Sequence, residues 1–212
     1  MRELGELLET VEPAFPLITQ WAREAEVAVE LLHPSADRAD VLLRLQVTTR
    51  STMGAIAYET GGVLVDDGWV RLLGAGNRKL GRNIASWNDG KSAGFLLFGD
   101  DVLGGFFAVN GGALGSDAGI VYYLAPDTLE WESLGIGFTA FVQWAFTAEL
   151  RHFYGDLRRE NLKADAKALS GDQCFNFYPM LWTEEGSCET SARRPISVEE
   201  QWTLNADLRS QA

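Results

Sequence analysis

The sequence predicts an α+β domain with a central, mostly antiparallel sheet and flanking helices. Between Gly94 and Trp131 three apolar runs, Phe95–Phe98, Phe106–Val109 and Ile120–Leu124, are separated by turn clusters rich in Gly, Asp and Asn. Aromatic and β-branched runs of this length, bounded in this way, read as buried strands of a meander. Directly after them, Phe138, Phe141, Val142, Ala145, Phe146 and Leu150 fall on one face of a helix over 138–154.

The remaining elements follow in chain order. Leu4, Leu7, Leu8 and Val11 keep helical spacing until Pro13 stops it, and a second helix from Phe15 or Pro16 to Glu24 buries Leu17, Ile18 and Trp21. Val27, Val29 and Leu31 alternate as in a half-buried strand, and His33-Pro34 ends the alternation. Ser35 is placed to cap a helix carrying Val41, Leu42 and Leu45. Met53, Ala55 and Ala57 then alternate as in a strand. Gly61-Gly62 turns the chain, Val63–Val65 resumes a strand, and Asp67-Gly68 makes a tight turn into Trp69–Leu73. Arg82–Trp87 reads as a short helix ended at Asn88-Asp89-Gly90, and Thr128–Leu134 as a further strand. After Arg158 the chain turns charged, then irregular and aromatic over 169–190. A last helix opens at Ser197, with Glu200 completing a capping box. Residues 1–157 are expected to form the α+β core and residues 158–212 an appendage packed on it.

With 212 residues and 46% apolar content, including seven Trp and eleven Phe, the chain can bury a substantial single core. No apolar run reaches the roughly 20 residues needed to span a bilayer, and the glutamates among the first leucines are unlike a signal peptide. A cytoplasmic location is therefore expected, and with it two reduced thiols at Cys174 and Cys188, although a disulfide between them stays open. The formal charge of −12 disfavours nucleic acid and anionic membranes and suits a basic protein partner.

Few patterns carry chemistry. The loop Gly74–Gly81, GAGNRKLG, offers amides and Arg78/Lys79 to an anion, yet it is neither a dinucleotide fingerprint nor a P-loop. Asp66-Asp67 and Asp100-Asp101 form acidic pairs at predicted turns, and paired carboxylates suit acid–base work or a divalent cation as well as simple turn bonding. Glu149 and His152 stand at i, i+3, half of a di-iron signature whose other half is absent from the sequence. There is no zinc pattern, GxSxG elbow or SxxK motif, so no catalytic residue, metal or cofactor is assigned. Trp69 follows a turn and Trp87 precedes one, which makes partial exposure plausible for either.

The runs Tyr58–Gly62, Asp67–Gly74, Trp87-Asn88, Phe98–Phe107 and Val121–Trp131 together resemble a bacterial family of unknown function, over about residues 50–146. More distantly, the order of strands and turns closing on a helix that begins Gly137-Phe138-Thr139-Ala140-Phe141 resembles the SUKH superfamily. That resemblance implies an α+β fold and a role like the bacterial toxin-immunity proteins found there. The long region before residue 50 and the segment 158–212 depart from its pattern. The expected function is thus a non-enzymatic binding protein, of immunity type, that masks a basic toxin through an acidic and aromatic surface. Asp66, Asp67, Trp69, Trp87, Asp100 and Asp101 are the expected contact residues. The alternatives are a small hydrolase or transferase using clustered carboxylates beside Arg71 or Arg78, and a small-molecule sensor. An exposed strand edge in the meander would also allow a homodimer.

Overall fold

A computed structural model describes residues 1–91 and 93–211. Its centre is a seven-stranded antiparallel meander in strict sequence order: β1 (Val29–Leu32), β2 (Gly62–Val65), β3 (Val70–Leu73), β4 (Phe95–Asp101), β5 (Phe106–Asn110), β6 (Ile120–Leu124) and β7 (Trp131–Gly137). The expected α+β class with an antiparallel meander and flanking helices is the one observed.

Side chains alternate across a strand, and this sorts the core into two faces. On one face the register aligns Leu64, Arg71, Asp100, Phe106 and Leu124. On the other, Leu72, Gly99, Phe107 and Tyr123 line up. A bulge at Phe98 sets the phase of β4, since Leu97 pairs with Ala108 but Gly99 with Phe107. The second face is closed by α6 (Phe138–Ala145): Phe98 and Phe107 meet Phe141 at ring-centroid distances of 5.2 and 5.0 Å. The first is closed by the end of the chain. There β8 (Gln173–Tyr178) and β9 (Ala192–Ser197) pair antiparallel, and α9 (Val198–Gln211) sets Trp202 edge-on to Phe106 at 5.0 Å. The Phe175 amide donates to the Val102 carbonyl at 2.8 Å, and Asn205 Nδ2 donates to the Gly104 carbonyl.

Several local expectations need correction. The alternating Met53, Ala55 and Ala57 belong to a helix, α4 (Thr52–Glu59); Ser51 Oγ accepts the Gly54 amide and starts it, and tight packing selects its small residues. An added Cβ at Gly54 would lie 2.1 Å from the Thr48 carbonyl oxygen. The first helix, α1 (Leu4–Leu7), stops early because Leu7 O accepts the Thr49 amide there, leaving Val11 exposed. The second, α2 (Phe15–Glu24), runs as expected, though Leu17 faces solvent. Ser35 is not a cap: its hydroxyl donates to Ala75 O, and α3 (Arg38–Leu45) begins after Asp37.

The helix expected over 138–154 is two, α6 and α7 (Glu149–Tyr154). Glu26 holds the break, its amide donating to Phe146 O and its carboxylate accepting the Ala148 amide. Between α7 and β8 come a 3-10 turn, Gly155–Leu157, and α8 (Glu160–Ala166). The predicted strand at Thr128–Leu134 lies slightly later, as β7. The tract 169–190, expected to be irregular, contains β8. The short helix between β3 and β4, α5 (Ile84–Trp87), and the Ser197 cap, which accepts the Glu200 amide, are as read from sequence. No described helix is long and apolar enough to cross a membrane.

Candidate functional site

Three polar constellations are built around the residues singled out by sequence. The first lies on the face closed by the C-terminal segment. Asp100, 1% exposed, is ion-paired with Arg71 and Arg82, each at 2.6 Å. Arg82 also reaches Asp172 at 2.8 Å and the Gly171 carbonyl at 2.9 Å, and Arg71 donates to the carbonyls of Gln173 and Asp101. The cluster thus ties β3 and β4 to the segment that covers them. Trp87 stacks beside it, with the Arg82 guanidinium 4.8 Å and the Lys91 ammonium 4.4 Å from its ring.

The second constellation is on the opposite face. The Asp101 carboxylate accepts the amides of Leu103 and Gly105 at 2.9 Å and the hydroxyls of Tyr123 at 2.6 Å and Tyr154 at 2.9 Å. Burial pushes the Asp101 carboxyl above the usual aspartate range, against the lowering effect of those donors. Burial, then the Asp101 charge, also holds both tyrosines well above the ordinary phenol value. Gly105 is required here: a Cβ would lie 2.4 Å from the Tyr123 hydroxyl. The adjacent carboxylates of Asp100 and Asp101 therefore diverge across the sheet, although the sequence suggested a working pair. Asp101 is fully engaged by protein donors, and Asp100 is held by two buried arginines.

The third is an open cleft of about 590 Å³ between the β2–β3 turn and the segment 151–167, lined by Asp66, Asp67, Trp69 and several cations. The turn runs through left-handed backbone at Asp66 (φ 52°), Asp67 (φ 59°) and Gly68 (φ 83°), a conformation that Asp tolerates better than most residues. Asp66 is buried. Arg151 binds its Oδ1 through Nη2 at 2.9 Å and Nε at 3.2 Å, and Arg158 binds its Oδ2. Arg158 also lies over Trp69, 5.2 Å from the ring, and Asp67 pairs with Lys167 at 3.6 Å.

Of the six expected contact residues, this cleft unites Asp66, Asp67 and Trp69, while Trp87, Asp100 and Asp101 lie elsewhere in the interior. The exposure expected for the tryptophans is corrected: Trp69 is 2% and Trp87 4% exposed. Arg151, Arg158, Lys163 and Lys167 were not singled out, and their only signal in sequence is the charged run after Arg158.

The other sequence features resolve simply. The GAGNRKLG loop is not an open anion cradle, because most of its amides are already bonded: Ala75 to Thr60 O, Gly76 to Gly61 O, Asn77 and Leu80 to each other, and Gly81 to Asp172. The α5 amides are capped by Asn83. His152 Nδ1 lies 3.4 Å from Glu149 at the surface, and His33 bonds the Pro34 carbonyl. Among the described residues no three His, Cys, Asp or Glu side chains converge as metal ligands.

Cys174 and Cys188 are free and buried, and burial pushes their thiols up to about 12 and about 11. Neither is a thiolate at neutral pH. A thiol-titrating disulfide reagent is expected to find no reactive cysteine in the native protein and both after unfolding; rapid native reaction at either would contradict this burial.

The fold and these sites together define a mixed α+β protein with two closed polar clusters and one open charged cleft. The chain belongs to the family described as protein of unknown function DUF2625, which it matches over residues 4–201. It is 43% identical over 213 residues to the putative uncharacterized protein YbfG of Escherichia coli strain K12, spanning 99% of this chain and 98% of that protein. An uncharacterized protein of Haemophilus influenzae is 34% identical over 214 residues, spanning 97% and 94%. No solved structure matches the chain significantly.

Proposed function

We propose that this protein is a non-catalytic binding protein that masks a basic protein partner, in the manner of the immunity-type proteins of the SUKH superfamily. One observation carries this reading. Asp127, Glu130 and Glu132 are exposed at the β7 end of the sheet and have no cationic partner among the described residues. Beside them is a shallow groove of about 300 Å³ lined by Thr128, Leu129, Glu130, Trp182, Leu208 and a single cation, Arg209. Trp182 is 39% exposed, and Glu184 and Glu185 follow it on the surface.

An unpaired acidic rim around an apolar, aromatic groove suits steering of a basic protein and then anchoring of its apolar contacts. Of the turn residues, Asp66 and Trp69 are buried and only Asp67 is an exposed carboxylate, in the separate charged cleft outside this binding surface. Trp87, Asp100 and Asp101 contribute to it by holding the sheet.

The test uses the tagged protein as bait in lysate of its source organism, at low and then moderate salt, beside the variant Glu130→Lys/Trp182→Ala. A stoichiometric basic partner is expected that is lost as salt rises, because screening acts over about 8–10 Å at physiological ionic strength. The variant is expected to lose it while keeping the native circular dichroism spectrum. No partner at either salt, or one that the variant holds equally well, would overturn the reading.

A further inference from the structure

On a chain of net charge −12, the cleft over the β2–β3 turn carries four cationic side chains, Arg151, Arg158, Lys163 and Lys167, against the carboxylates Asp66, Asp67 and Glu160. The sequence pointed to an acidic turn here; the tertiary structure surrounds it with cations. Asp66 is committed, since both arginines converge on it, and it holds their guanidiniums in fixed positions. The two remaining carboxylates are exposed and pair only with flexible lysines, Asp67 with Lys167 and Glu160 with Lys163. Such surface pairs are worth about 0–1 kcal/mol, so an incoming anion can displace them at little cost.

Two further details favour an anion. Arg151 uses Nε and Nη2 on Asp66, which leaves Nη1 without a partner among the described residues. Behind the cleft wall, Trp69 Nε1 and Arg158 Nε are buried without a hydrogen-bond acceptor. Neither atom touches solvent, so they act as uncompensated positive dipole ends that add to the local potential.

We propose that this cleft is a binding site for a small molecule bearing a phosphoryl group. Arg151 and Arg158 would be the preorganised donors, and Lys163 and Lys167 the mobile clamp from α8 and its C-terminal end. About 590 Å³ leaves room for an organic body as well as the anion. This site does not depend on the basic-partner reading, since its ligand has the opposite charge and its residues lie outside the Trp182 groove.

The experiment is a titration with sodium phosphate, and separately with pyrophosphate, followed by the indole Nε1–H of Trp69 and the Nε–H of Arg158 in ¹H–¹⁵N spectra. Sodium chloride at matched ionic strength is the control. Saturable shifts confined to the cleft are expected, with binding about tenfold weaker in Lys163→Ala/Lys167→Ala, a change of about 1.4 kcal/mol. The Glu130→Lys/Trp182→Ala variant is expected to bind phosphate as the parent does. Three results would overturn the assignment: no saturable shift beyond the chloride control, equal affinity in the double lysine variant, or loss of binding in the groove variant.

Discussion

Replacing Asp100 by alanine is expected to destabilise the protein by about 3–5 kcal/mol, the range for removing one partner of a buried ion pair. Arg71 is 1% exposed and forms no other ion pair among the described residues, so the variant would leave its charge without a direct carboxylate partner in the interior. Its remaining bonds, to the carbonyls of Gln173 and Asp101, satisfy donors without neutralising the charge. Arg82 would keep Asp172 but lose its buried partner. The cluster joins β3 and β4 to the C-terminal segment, so backbone amides of β8 should exchange faster in the variant. Urea unfolding followed by tryptophan fluorescence gives the stability, and hydrogen exchange locates the loosening. A loss under about 1 kcal/mol would mean that water enters and solvates Arg71, and that the cluster does not hold the layers together.

The second large effect is expected at Asp101. Asp101→Ala removes the acceptor of two amides and two tyrosine hydroxyls, leaving buried donors unsatisfied at about 1–3 kcal/mol each where water cannot reach them. Asp101→Asn should cost much less, because its carbonyl can still accept the amides and its NH₂ can donate to the tyrosine oxygens.

The two variants also separate in pH dependence. Burial raises the folded-state carboxyl above its unfolded value, so over the interval between them the folded state binds more protons than the unfolded. Stability from this group is therefore greatest below the unfolded value near 3.9, falls as pH rises toward the folded value, and is flat above it. Asp101→Asn should abolish that slope, measured as unfolding midpoint against pH, while the other carboxylates keep theirs. An unchanged slope in Asp101→Asn would mean that the Tyr123 and Tyr154 hydroxyls compensate burial fully.

Much of the fold was legible because the meander is local. Its strands pair in sequence order, and between β2 and β3 and from β4 to β7 the connections are short, so apolar runs and turn residues reported those strands one by one. The errors fall where two secondary structures share a pattern or where a distant contact ends an element. Ala55 and Ala57 alternate as a strand would, but they are buried in a helix whose Gly54 packs against Thr48. Phe138–Leu150 keeps helical spacing throughout, yet Glu26, more than a hundred residues earlier, takes the backbone groups at the break. The C-terminal hairpin was missed because Arg193, Arg194 and Pro195 in β9 are unlike a strand until Phe177, Asn176 and Phe175 lie opposite.

The sequence by itself determined the α+β class, the order of the meander strands and the excess of negative charge, because these depend on local periodicity and composition. Only the tertiary structure decided what the acidic residues do. A strand's period of two sends Asp100 and Asp101 to opposite faces, where different partners bury and hold them. At the cleft, cations from residues 151–167 gather around a turn some 90 positions earlier. Charge and polarity are written into the chain one residue at a time, but pairing and burial arise only when distant segments meet.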